Sequence, residues 1–64
     1  MTKMTWREAL RALRTHHTQQ WVADRVRVSV TSVAVWDRGE ATPLLPFQER
    51  LIRLAGRVVK TDPQ

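Results

Sequence analysis

An all-α domain, a compact arrangement of four or five short helices around one apolar core, is the fold class this sequence predicts, on three observations. Apolar residues recur at three- and four-residue spacing along most of the chain, the period of a helix with one buried face. Thr5, Thr18 and Ser29 each stand where a helix needs an N-cap, and Gly39 with Pro43 forms a stop signal. Finally, 64 residues make one domain, near the lower limit for a core that folds without staples.

The first helix is announced by Thr5-Trp6-Arg7-Glu8, a capping box in which threonine and glutamate each satisfy the other's backbone N–H. Trp6, Leu10 and Leu13, joined by Ala9, make its buried stripe, with Arg7, Arg11 and Arg14 on a neighbouring face. The helix is expected over about residues 6–15, ending before His16-His17. Thr18 caps a second helix over about residues 19–26, with Val22, Ala23 and Val26 inside. Ala23 is the small residue that lets two helices approach closely.

The third element is ambiguous when read locally. Val26, Val28 and Val30 alternate with polar residues, and β-branched residues crowd residues 26–35, which by propensity favours a strand. Against this, Ser29 is a good N-cap and Val33 and Trp36 lie one helical step apart. Propensities differ by only about 0.7 kcal/mol per ordinary residue, so the caps and spacing decide for a helix that stops at Gly39. Glu40 to Leu45 is a short loop, and Pro46 suits the first turn of a fourth helix. Phe47, Leu51, Leu54 and Val58 form its stripe, widened by Ile52, Ala55 and Val59, while Arg50, Arg53 and Arg57 ride the solvent side. About residues 1–4 and 60–64 should fray.

Eleven basic residues against six acidic give a net charge of +5, and nine of the eleven are arginine. Guanidinium pairs with phosphate in a planar, bidentate way, and each contact releases condensed counterions from a nucleic acid. An anionic membrane surface or an acidic protein would suit the same charge. There is no cysteine, which excludes a disulfide framework and a thiol-based zinc site. His16 and His17 are adjacent, so they project differently, and zinc needs three or four ligands; a loop role is expected, with no metal. No apolar run approaches the roughly 20 residues of a membrane span, and Arg7, Glu8, Arg11 and Arg14 interrupt any signal-peptide core. The expected location is the cytoplasm. Without cysteine, tyrosine or paired carboxylates, and with serine and threonine placed at caps, no catalytic site is expected, nor any cofactor.

Thr18, Gln19, Val22, Ala23, Val28, Ser29, Val33, Trp36, Asp37, Gly39 and Pro43 fall together in a pattern that resembles the lambda-repressor-like, Cro-type (XRE) helix-turn-helix family. That pattern is T-Q-x-x-L-A, a hydrophobic-glycine-V-S turn, then V/I-S-x-W/I-E-x-G and a later proline. The resemblance covers residues 5–59 in order of helices, and residues 18–43 in specific motif. There are three departures. Arg27 replaces the turn glycine, so it must adopt a left-handed conformation or reshape the turn. Asp37 stands for a glutamate that in the family pairs with an arginine of the first helix; Arg11 is the expected partner, if the connection between helices one and two carries an extra residue. The following loop and fourth helix also run a few residues longer.

The resemblance implies a sequence-specific regulator of transcription that binds double-stranded DNA, in form most like a phage Cro-type repressor in a bacterial host, nucleoid-associated. Val30, Thr31, Ser32 and Val35 would face base edges from the third helix in the major groove. Gln19 and Gln20, at the start of the second helix, would hold backbone phosphate, and Arg38 would contact phosphate or a flanking base. With no Asn or Gln among the base-facing set, valine and threonine methyls would meet thymine methyls, and shape and phosphate contacts would carry much of the affinity. Such proteins read near-palindromic operators as dimers. Leu44, Leu45 and Phe47 are the candidate contact for a weak homodimer, and no effector pocket or small-molecule ligand is expected. Trp36 should be core, whereas Trp21 either covers the first helix or sits exposed beside DNA or a partner. Two alternatives stand beside the repressor: an antitoxin-type regulator of the same fold, and a small basic helical adaptor that binds an acidic protein through Arg50, Arg53 and Arg57.

Overall fold

In the structure, a computed structural model that describes residues 4–58, those residues fold into four helices: α1 (Trp6–His16), α2 (Gln19–Val26), α3 (Val30–Asp37) and α4 (Leu45–Val58). Each start has a local cause. The Thr5 N–H donates to Glu8 Oε1 at 3.0 Å while the Glu8 N–H donates to Thr5 Oγ1 at 3.1 Å, so the capping box forms in full. Thr18 Oγ1 accepts from the Trp21 N–H, and Ser29 Oγ from the Ser32 N–H. The β-branched run is therefore helical. Its cap closes locally, and burying Val33 and Trp36 on one side outweighs the strand propensity of its valines.

The two short helices α2 and α3 end alike. After α3, Gly39 is left-handed at φ 79°, its N–H bonds the Trp36 carbonyl, and the Glu40 N–H reaches back to Val35. After α2, Arg27 takes the same place at φ 70°, ψ 48°, and the N–H groups of Arg27 and Val28 both reach the Ala23 carbonyl. Both are left-handed C-terminal caps. Of the two outcomes the sequence left open at Arg27, the chain keeps the glycine-type turn and bears the steric cost of a side chain there, about 1–2 kcal/mol.

Helix α1 packs chiefly on α4, and α2 on α3, with α2 also against α4. Ala9, Leu10, Leu13, Val22, Ala23, Val26, Val33, Trp36, Leu51 and Ala55 form the buried core. Among the fully buried side chains Leu13, Leu51, Val22, Val26 and Val33 are largest, each contributing about 1.5–3 kcal/mol by leaving water. Trp6, Trp21, Phe47, Ile52 and Leu54 pack around this centre, half-buried, and Pro43 of the α3–α4 loop is buried as well.

Some boundaries and contacts differ from expectation. Helix α1 continues through His16, because the His17 N–H still reaches the Leu13 carbonyl. Helix α4 starts at Leu45, one residue before Pro46; it has no capping hydroxyl, and Gln48 Nε2 instead donates to the Pro43 carbonyl at 2.8 Å. Val58 is 37% exposed, in the last described turn of α4, and does not join the buried stripe. Val59 and residues 60–64 lie outside the described residues, as do residues 1–3. Among the described residues, no helix is long and apolar enough to cross a membrane.

Candidate nucleic-acid interface

The outer face of α3 is where a buried helix would not leave its valines. Val33 and Trp36 point into the core, yet Val30 is 37% exposed, Thr31 is exposed, and Ser32 and Val35 are half-buried. A short helix with apolar residues all round is normally covered on all sides; this one is covered on one. The four residues expected at base edges thus lie on a single short helix, with their methyl and hydroxyl groups within solvent reach. Ser32 Oγ also lies 3.2 Å from Ser29 Oγ, which ties that hydroxyl to the cap.

Beyond the core packing of Val33 and Trp36, one carboxylate ties the end of α3 to its neighbours. Asp37 Oδ2 accepts from Arg14 Nε at 3.0 Å and from Gln19 Nε2 at 3.1 Å, joining α1, the start of α2 and the end of α3. Arg14 Nη1 adds a 2.7 Å bond to the His17 carbonyl in the α1–α2 connection. The expected partner was Arg11, and this is corrected. Only His17 and Thr18 separate α1 from α2, and the last turn of α1 lies opposite Asp37. Arg11, three residues earlier, sits about 4.5 Å back along the axis.

The same network occupies the Gln19 side chain. One N–H of its amide is thereby used and the second remains as a donor, beside the backbone N–H groups of Gln19 and Gln20, which cannot be satisfied within their helix. Gln20 is exposed and donates to Asp24 Oδ1 at 2.9 Å, one helical turn on. Arg38, just past α3, is also engaged: Nε and Nη2 meet the two carboxylate oxygens of Glu40, both at 3.1 Å. The hydrogen bond and then the charge of Arg38 hold the Glu40 carboxyl below its ordinary range, and Glu40 in turn raises the Arg38 guanidinium. Both side chains are 58% exposed, so the pair is loosely held and open to exchange for another anion. Arg7, Arg11, Arg14 and Arg38 line a hollow of about 320 Å³ between α1 and the end of α3, together with Asp37, the partner of Arg14. This puts four arginine side chains beside the C-terminal end of α3.

Three other expectations find their place. Trp36 is 8% exposed and lies 6.1 Å from Phe47, centroid to centroid. Phe47 is half-buried against the core, whereas Leu44 and Leu45 are 69% and 70% exposed; of the three candidate dimer residues, only the two leucines form an open apolar patch. Trp21 is half-buried, and the His17 ring stacks flat on it at 3.6 Å and 9°. That stack settles its environment and gives His17 a packing role which sequence reasoning missed; the four-residue spacing of His17 and Trp21 was the available signal. Two further contacts escaped the sequence. Arg50 Nη1 donates to the Val26 carbonyl at 3.1 Å, capping α2, and Arg25 lies over the Trp21 ring at 4.7 Å. Comparison with known proteins finds no family model, no curated protein and no solved structure that matches the chain.

Proposed function

We propose that this chain is a sequence-specific DNA-binding regulator, of the Cro-type repressor kind, which places α3 in the major groove and acts in the cytoplasm. The observation that carries the reading is the outer face of α3: Val30 and Thr31 exposed with Ser32 and Val35 beside them, on a helix capped at both ends and braced through Asp37. Small methyl-bearing side chains suit thymine methyls, and hydroxyls serve as donor or acceptor to any base edge. The four-arginine hollow beside Arg38 supplies the sequence-independent attraction to phosphate that every such reader needs.

The exposed Leu44 and Leu45 serve, in this reading, as the contact between two copies on a near-palindromic site. Their small area suits a dimer that forms on DNA more than one that persists in solution. The test is selection of bound duplexes from a random pool at fixed salt. Enrichment of paired half-sites about one helical turn apart is the expected result, with affinity falling as salt rises by a log–log slope of about −0.9 per neutralised phosphate. Recovery of unselected sequence, with a flat salt response, rejects the reading.

A further inference from the structure

A second group of arginines lies away from the Asp37 end of the reading helix. Arg25 in the last turn of α2, Arg27 in the α2–α3 turn, and Arg50, Arg53 and Arg57 along α4 surround an open hollow of about 280 Å³, with Leu54 in its lining. It shares no residue with the hollow beside Arg38. Gln19 and Arg25 are six residues apart on α2, which separates the two ends by about 9 Å.

The arrangement is unfavourable as it stands. Arg50, Arg53 and Arg57 repeat at three- and four-residue spacing, where like charges repel. No carboxylate among the described residues forms an ion pair with any of the five. Arg27 is moreover the described non-glycine residue held at positive φ, a strain that points to a use for the side chain. The α2 terminus accounts for Arg50 alone, through the Val26 carbonyl. Two of the five are also held in place, Arg25 over Trp21 at 4.7 Å and Arg50 over Phe47 at 5.4 Å, so less freedom is lost when a ligand arrives.

We propose that this hollow is an anion site for closely spaced phosphates. Guanidinium forks match phosphate oxygens in pairs, and several converging forks suit neighbouring phosphates. An acidic peptide fits less well: Leu54 is the one apolar residue in the lining, and among the described residues there is no strand edge to pair with a peptide backbone. The volume falls at the small end of ligand sites. The phosphates have two sources. Arg27 stands three residues before Val30, so the backbone of a duplex lying along α3 is one, and a free oligophosphate is the other.

The proposal does not rest on α3 reading bases, and it is tested with inorganic tripolyphosphate on the full chain. Arginine Nε–H signals are followed by NMR for the wild type and for an Arg27→Gly, Arg53→Gln double variant. Both positions are exposed and glycine suits φ 70°, so the variant folds, which circular dichroism checks. Shifts concentrated on Arg25, Arg27, Arg53 and Arg57, with affinity at least tenfold weaker in the double variant, are the expected result. Duplex binding then assigns the source. If specific and scrambled duplexes weaken together and the salt slope becomes shallower by about 0.9 for each phosphate no longer neutralised, the phosphates are those of the duplex; if duplex binding is unchanged, they are free. Wild-type affinity for tripolyphosphate in the double variant overturns the proposal, as does tighter binding of an oligoglutamate peptide. Loss of discrimination between specific and scrambled duplexes concerns α3 alone, so the two readings fail separately.

Discussion

Asp37 at the end of α3 and Arg14 in the last turn of α1 form a 3.0 Å ion pair across 23 positions of chain, and Gln19 shares the same carboxylate oxygen. The pair is about one-third exposed on each side, so solvent weakens it, and its worth is that of a good surface interaction with added hydrogen bonds. Asp37→Ala is expected to cost about 1 kcal/mol, seen as a thermal midpoint lower by about 4–8 °C in a domain of this size. A double-mutant cycle with Arg14→Ala should recover much of that loss as coupling. Additive effects would mean that the two side chains do not act together.

Trp36→Ala should unfold the domain. Truncating a buried aromatic costs about 3–5 kcal/mol, and a core of this size supplies little more than about 3–5 kcal/mol in total. Loss of the far-UV helical signal at 25 °C is the expected reading; a cooperative melt like that of the wild type would remove Trp36 from the core.

Arg27→Gly should stabilise the fold. Glycine adopts φ 70° without the Cβ clash, which relieves about 1 kcal/mol or more, and the thermal midpoint rises accordingly. A lower midpoint would show that the Arg27 side chain supports the turn by more than the clash costs.

Specificity and affinity should separate by residue. Thr31→Ala and Val35→Ala are expected to cost about 1–3 kcal/mol on the preferred duplex where a base contact is good, and little on a scrambled one. Gln20→Ala should weaken both duplexes alike or not at all, because phosphate carries no direct sequence information. Wild-type affinity of the Thr31 and Val35 variants for both duplexes would remove α3 as the reader.

Glu40→Gln should strengthen duplex binding without regard to sequence, by up to about fivefold, because it removes the opposing charge and one of the two acceptors that engage the Arg38 guanidinium. The sign with pH follows from the lowered Glu40 carboxyl. The pairing is fully present above the ordinary carboxylate value of about 4.3 and is lost as pH falls through the lower folded value. Acid therefore removes whatever stability Arg38–Glu40 gives, and the variant should show less of that loss. Unchanged affinity would place Arg38 away from the phosphates.

The sequence by itself determined what is set within a turn or two of helix. The capping box at Thr5, the caps at Thr18 and Ser29, the stop at Gly39 and the buried positions of α1, α2 and α3 are local matters of hydrogen bonding and 3.6-residue spacing. The helical state of residues 30–37 was legible too, because Ser29 and the Val33–Trp36 step outweighed propensity. Tertiary structure decided the rest. Whether Arg11 or Arg14 meets Asp37 depends on how the two-residue connection aligns α1 with α3, and spacing along one helix carries no information about that. The Trp21 environment depends on where the His17 ring swings. The solvent-side stripe of α4 became part of a five-arginine hollow only when α4 packed beside the end of α2, bringing Arg50 to a carbonyl 24 residues away. A charge pattern gives a helix its outer face, but which other charges share that face is fixed by packing, through contacts that no local period encodes.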